Sequence, residues 1–121
     1  MTEQRHALIV DDHPTNRLLA SALLKRLGWI VSDAVNGSMA LELASQKPFR
    51  LVLLDISMPG LSGEETCARL RATPSGSALR IIAYTAHAFQ EDRERLLAAG
   101  FDDILVKPIS IQALETLTGS L

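Results

Sequence analysis

Five polar side chains close the apolar runs of this sequence: Asp11 and Asp12 follow His6 to Val10, Asp55 follows Leu51 to Leu54, Thr85 follows Leu79 to Tyr84, and Lys107 follows Ile104 to Val106. Three carboxylates brought into one crevice repel each other. The usual remedy is a hard divalent cation such as Mg²⁺, which takes one or two carboxylates and keeps several waters. A hydroxyl and an ammonium beside that cation can hold an anionic group, so the set reads as a phosphoryl-transfer site with a carboxylate nucleophile. Taken singly, each residue has a plainer reading. An Asp pair where a strand meets a helix is an N-cap favoured by the helix dipole, and a lone Thr or Lys is structural or solvated. The reading rests on the set, because all five stand at the carboxyl ends of runs predicted to surround one crevice.

The elements that must position them follow from periodicity. Short runs rich in Ile, Leu and Val, at His6 to Val10, Trp29 to Ala34, Leu51 to Leu54, Leu79 to Tyr84 and Ile104 to Val106, alternate with longer amphipathic stretches. In the latter, Leu19, Ala22, Leu23 and Leu27 recur at helical spacing, as do Met39, Ala40, Leu43 and Ala44, then Cys67, Leu70 and Arg71, then Leu96, Leu97 and Ala99, with a last helix over Ile109 to Leu117. Pro14 suits a helix start, and Gly28 and Gly100 suit C-terminal caps. Pro48, Pro59 with Gly60, Pro74 with Gly76, and Pro108 fall between elements, and Thr73 to Ser77 reads as a loop. Leu51 to Leu54 is apolar on consecutive residues, as in a strand covered on both faces. The expected fold is therefore α/β, a doubly wound, five-stranded parallel sheet with five helices on its two faces. Its flavodoxin-like order 2-1-3-4-5 reverses between strands 1 and 3, and ligands bind beyond the carboxyl ends there. Strand 2, at the edge, offers no comparable polar residue.

Composition bounds the rest. The 121 residues, 47% hydrophobic and 21% charged, predict one domain over 1–121 with a core of its own. A net charge of −2 makes nucleic acid and anionic membrane poor partners. The single Cys67 cannot form an internal disulfide, the apolar runs are too short to span a bilayer, and the start MTEQRH carries no long apolar signal. A reducing cytoplasm is the expected compartment.

The order Asp11-Asp12, Asp55, Thr85, Lys107-Pro108, with Asp55-Ile-Ser-Met-Pro-Gly-Leu-Ser-Gly63 around the central Asp, resembles the receiver domain of two-component response regulators along essentially the whole chain. The resemblance implies that Asp55 accepts a phosphoryl group from phosphohistidine on a histidine kinase or histidine phosphotransfer protein. It implies that Asp12, Asp55 and the main-chain carbonyl of Ser57 ligate Mg²⁺, with Asp11 acting through a water. Lys107 would contact the phosphoryl group, Thr85 would move to meet it, and the small Ala86 would leave its backbone N–H free for it. The bond before Pro108 is expected to be cis. Asn16-Arg17, Thr85-Ala86-His87-Ala88 and Gly100-Phe101-Asp102-Asp103 followed by Lys107-Pro108-Ile109 resemble receivers of hybrid sensor kinases.

Two departures stand out. Ile104 occupies a switch position where many receivers carry Tyr or Phe, so the coupled movement of hydroxyl and ring expected of Thr85 and that aromatic has no ring here. No Lys or Arg follows Lys107, which removes the basic half of an ion-paired dimer surface seen in one subgroup and favours a monomer or weak dimer. His6, His13 and His87 lack metal-ligand spacing with Cys67. His13 reads as a helix-entry residue, His87 as a solvated loop residue, and Cys67 and Trp29 as core. The competing reading is a Mg²⁺-dependent phosphohydrolase using Asp55 on small phosphate esters. Against it, Ser57 stands where a general-acid carboxylate would be useful, and no inserted cap encloses a substrate. A receiver-like binding module without phosphorylation is disfavoured because all five site residues are present.

Overall fold

A computed structural model describes residues 5–57, 60–74, 76–86 and 89–119. Its elements run β1 (His6–Val10), α1 (Pro14–Arg26), β2 (Ile30–Ala34), α2 (Gly37–Gln46), β3 (Leu51–Asp55), α3 (Gly63–Arg71), β4 (Arg80–Thr85), α4 (Gln90–Ala98), β5 (Asp103–Val106) and α5 (Ile111–Thr118). The strands pair in parallel in the order β2-β1-β3-β4-β5. Two parallel strands cannot be joined by a tight turn, so each connection carries a helix back across a face.

Both faces of the sheet are covered, which is why β3 is buried at every residue. On one face Ala7, Ile9, Leu53, Ile82, Tyr84 and Leu105 pack with Ala20 and Leu24 of α1 and Leu114 of α5. On the other, Leu8, Val10, Val52, Leu54, Ile81 and Ala83 pack with Ala40 of α2, Cys67 and Leu70 of α3 and Leu96 of α4. Trp29 lies in the first of these cores, one residue before β2 rather than within it.

Local signals fix the helix ends. Pro14 is the first residue of α1, where its missing N–H costs nothing. Asn36, Ser62 and Ser110 cap α2, α3 and α5 by accepting from the main-chain N–H of Met39, Glu65 and Ala113. Gly28 and Gly100 have φ of 94° and 111°, and the next residues, Trp29 and Phe101, donate back to Leu24 O and Leu96 O. That left-handed closure is costly for a residue with a Cβ, so α1 and α4 stop at glycine.

Three details differ from the periodicity. In α1 the buried face is Ala20 and Leu24, while Leu19 is 43% exposed and the adjacent Leu18 73%. The apolar residues of α1 run almost all round, so spacing alone does not set the phase. Leu97 of α4 and Met39 of α2 also face outward, at 51% and 40%. Within the stretch expected to be a loop after α3, Gly76–Ala78 form a 3₁₀ turn. Pro59 and Ser75, on which turn and loop expectations fell, and Met58 of the Asp55-to-Gly63 stretch lie outside the described residues.

Candidate functional site

The register sets the crevice. Asp55 ends β3 between β1 and β4, opposite Tyr84, and Asp11 follows the last residue of β1. Because β1 and β3 are neighbours whose following helices cross to opposite faces, the chain splits apart just beyond them, and the carboxylates look into that gap.

Asp11 is fully buried and Asp55 is 1% exposed, whereas the Asp12 side chain is 30% exposed. Asp55 Oδ1 accepts from the Ser57 main-chain N–H at 2.9 Å, and Asp11 Oδ1 accepts from the His13 N–H at 2.9 Å. These two short loops fold back on their carboxylates and leave the Oδ2 atoms turned towards Lys107, whose Nζ lies 3.5 Å from Asp55 and 3.8 Å from Asp11. Lys107 is itself steadied from below by the Tyr84 ring, 4.8 Å from Nζ to centroid, and by its main-chain N–H on Thr85 O at 2.8 Å. Arg17 donates to the Asp11 carbonyl at 2.8 Å and pairs with Asp33 at 3.5 Å, tying α1 to the same loop.

One ammonium facing two buried carboxylates does not balance them. Burial pushes the Asp55 carboxyl above its ordinary range, and Asp11 adds to the rise, against the opposing pull of the Ser57 N–H and Lys107. The Tyr84 hydroxyl is pushed up to about 12 by burial and then by the two carboxylates, so it remains a neutral phenol. Asp11 Oδ2 and Asp12 Oδ1 are buried yet accept no hydrogen bond from the described residues. One donor atom each from Asp11, Asp12, His13 and Asp55 lies within 4.8 Å of all the others. Buried, unbonded carboxylate oxygens gathered in this way are what a divalent cation requires.

Of the residues singled out from sequence, the structure therefore brings together Asp11, Asp12, Asp55 and Lys107. Ser57 follows two residues after Asp55. Thr85, 4% exposed, ends β4, and Ala86 follows it exposed at the same rim. The bond from Lys107 to Pro108 is cis. Ile104 is 7% exposed and pairs with Ala83. It packs in the core on the α4 face, away from the carboxylates. His87 and Ala88 lie outside the described residues. Sequence reasoning missed Tyr84, whose place as a strand residue concealed its contact with Lys107. It missed Arg17, and it treated His13 only as a helix entry, although the His13 ring lies 3.1 Å from Asp12 and 3.5 Å from Asp11.

The family model for the response regulator receiver domain matches residues 7–118. Sensor histidine kinase GacS of Pseudomonas protegens is 42% identical over 110 residues, covering 88% of this chain and 12% of that kinase. The chain thus spans about an eighth of the kinase it matches. Among solved structures, the receiver domain of sensor histidine kinase PA1611 from Pseudomonas aeruginosa, described with a magnesium ion in its active site cleft, superposes with a TM-score of 0.86 at 34% identity, over 95% of this chain and 94% of that one. The Vibrio cholerae chemotaxis protein CheY4 superposes with a TM-score of 0.91 at 28% identity, over 98% of this chain and all of that one.

Proposed function

This chain belongs to the response regulator receiver domain family, and on that premise we propose that it is a single phosphoacceptor domain over 1–121 in a two-component phosphorelay. Asp55 takes a phosphoryl group from phosphohistidine on a histidine kinase or histidine phosphotransfer protein. A carboxylate oxygen of Asp55 bonds to phosphorus as the P–N bond breaks, and the departing imidazole keeps the electron pair and takes a proton from solvent. The observation that supports this most directly is the state of Asp55: buried, held at Oδ1 by the Ser57 N–H, and with Oδ2 facing Lys107 at 3.5 Å.

The donor set fits Mg²⁺. The carboxylate ligands are hard oxygens, and Asp11 Oδ2 and Asp12 Oδ1 meet no hydrogen-bond donor among the described residues. Asp12, Asp55 and the Ser57 carbonyl would hold the ion, with Asp11 acting through a water. When bound, it supplies positive charge to the crowded carboxylates and to the phosphoryl oxygens. Lys107 pairs with a phosphoryl oxygen in place of the Asp55 charge it now faces. The Thr85 hydroxyl and the Ala86 N–H, at the end of β4, supply donors to the others. The domain works as a monomer or weak dimer in the cytoplasm, and passes the signal by partner binding or onward transfer rather than by turnover of a substrate.

Incubation with acetyl phosphate and Mg²⁺ tests this reading. One phosphoryl group is expected by mass, and none in Asp55→Asn. Unchanged labelling of that variant overturns the assignment, and sustained turnover of a generic phosphate ester would turn the reading into a phosphohydrolase.

A further inference from the structure

We propose that His13 is a nitrogen ligand at this site, which equips the domain to take a borderline transition-metal ion such as Co²⁺ in addition to Mg²⁺. The inference rests on the metal reading above and concerns which ions the site selects.

The position of the ring is set by the chain. His13 precedes Pro14, and a residue before proline is held in extended backbone; here φ is −94° and ψ 117°. Its N–H is engaged by Asp11 Oδ1 at 2.9 Å, which folds the loop over the carboxylates. At the N-cap of α1 its side chain makes no capping hydrogen bond, so the imidazole is not spent on the helix end. It points instead into the cluster, with Nδ1 3.1 Å from Asp12 Oδ1 and 3.5 Å from Asp11 Oδ1.

The ring meets Asp12 Oδ1 as an ion-pair contact at 3.1 Å, and that oxygen has no aligned hydrogen-bond donor among the described residues. Two donor atoms facing the same side at this separation match adjacent ligands on one ion, since N and O donors at about 2.1 Å and a right angle lie about 3.0 Å apart. The independent sign of a missing ligand is Asp11 Oδ2, on a fully buried residue, with no hydrogen-bond donor among the described residues and Lys107 Nζ no nearer than 3.8 Å. Mg²⁺ prefers oxygen and would leave the imidazole aside with water in its place. Borderline ions such as Co²⁺, Ni²⁺ and Zn²⁺ gain from an imidazole ligand.

Titration of the metal-free protein with Co²⁺ and, separately, with Mg²⁺ tests the idea, with Co²⁺ visible absorption as the report of nitrogen ligation. His13→Ala is expected to weaken Co²⁺ by at least about tenfold and Mg²⁺ by less than about twofold, the loss of even an outer partner being worth tenfold or more. The His13 side chain is 67% exposed, so the variant keeps the fold. Co²⁺ affinity and absorption indifferent to His13, or equal weakening for both ions, overturns the inference while leaving the Mg²⁺ site standing. Failure of the native protein to bind either ion defeats the metal reading beneath it.

Discussion

Lys107 and Arg71 are cations at opposite ends of the sheet, and they are treated in opposite ways. At the amino ends of the strands, the Arg71 guanidinium bonds to the carbonyls of Gly76, Leu79 and Gly100 and to Asp102, whose Oδ2 also accepts from the Ile81 N–H at 2.8 Å. Its acceptors are mostly neutral, and its one carboxylate is paired twice. At the carboxyl ends, Lys107 Nζ stands 3.5 and 3.8 Å from two buried carboxylates, at or beyond the limit of a hydrogen bond. The first arrangement leaves little for a ligand to improve and so fastens α3 to the starts of β4 and β5. The second keeps charge unsatisfied and close together, which is a cost in the free protein and the source of binding when a cation and a phosphoryl group arrive.

Breaking the satisfied end has the largest expected effect. Arg71→Ala removes several hydrogen bonds and strands three carbonyls and a carboxylate, so urea unfolding is expected to show a loss of about 3 kcal/mol. Arg71→Lys recovers less than half, because an ammonium cannot serve acceptors in a planar fork. Acetyl phosphate labelling per folded molecule stays unchanged. A loss below about 1 kcal/mol would show that the carbonyls find water without penalty.

The unsatisfied end responds with the reverse sign. In metal-free protein, Asp55 binds its proton more tightly folded than unfolded, because its pKa is raised by burial first and by Asp11 second. The stability this lends is fully present below the ordinary carboxylate pKa and is lost as pH rises through the Asp55 folded value. Asp55→Asn carries no such charge, so it is expected to melt above the native protein at neutral pH, with the gap closing as pH falls through that window. Mg²⁺ at a hundredfold over its Kd then stabilises the native protein by about 2.7 kcal/mol. Asp12→Ala abolishes most of that gain. A native melting temperature indifferent to Mg²⁺, or an Asp55→Asn protein that melts lower than the native one at every pH, contradicts this account.

This contrast also explains what sequence could and could not reveal. Asp11, Asp12, Asp55 and Lys107 were legible because each polar residue interrupts an apolar run, and the strand order follows from helices between parallel strands. Arg71 gave no such signal. It recurs at helical spacing with Cys67 and Leu70, and its main acceptors are backbone carbonyls, one of them 29 residues away, which no side-chain pattern records. Tyr84 was hidden for a related reason, since its contact with Lys107 depends on the pairing of β4 with β5. The phase of α1 was illegible because helix spacing gives a face only where polar residues mark the other side.

The smallest expected effect concerns Ile104, where the question is whether a residue in the aromatic switch position moves or merely packs. Ile104 is 7% exposed, beside Ala83 and in one core with Leu96 and Phe101. A β-branched chain there has one favoured χ1 and no hydroxyl to change partners. Ile104→Val removes one methylene and is expected to cost about 1 kcal/mol of stability, the usual price of that cavity. If Ile104 only packs, that loss is the same with and without bound beryllium trifluoride and Mg²⁺, and amide shifts on binding concentrate at Thr85 and Ala86 rather than at position 104. Coupling between the site and the α4–β5–α5 surface, of about 1–2 kcal/mol, then runs through the backbone at the end of β4. A loss at Ile104→Val that differs between the two states by more than about 0.5 kcal/mol, beyond what independent sites show, would place the side chain on the coupling route and restore a switching role to this position.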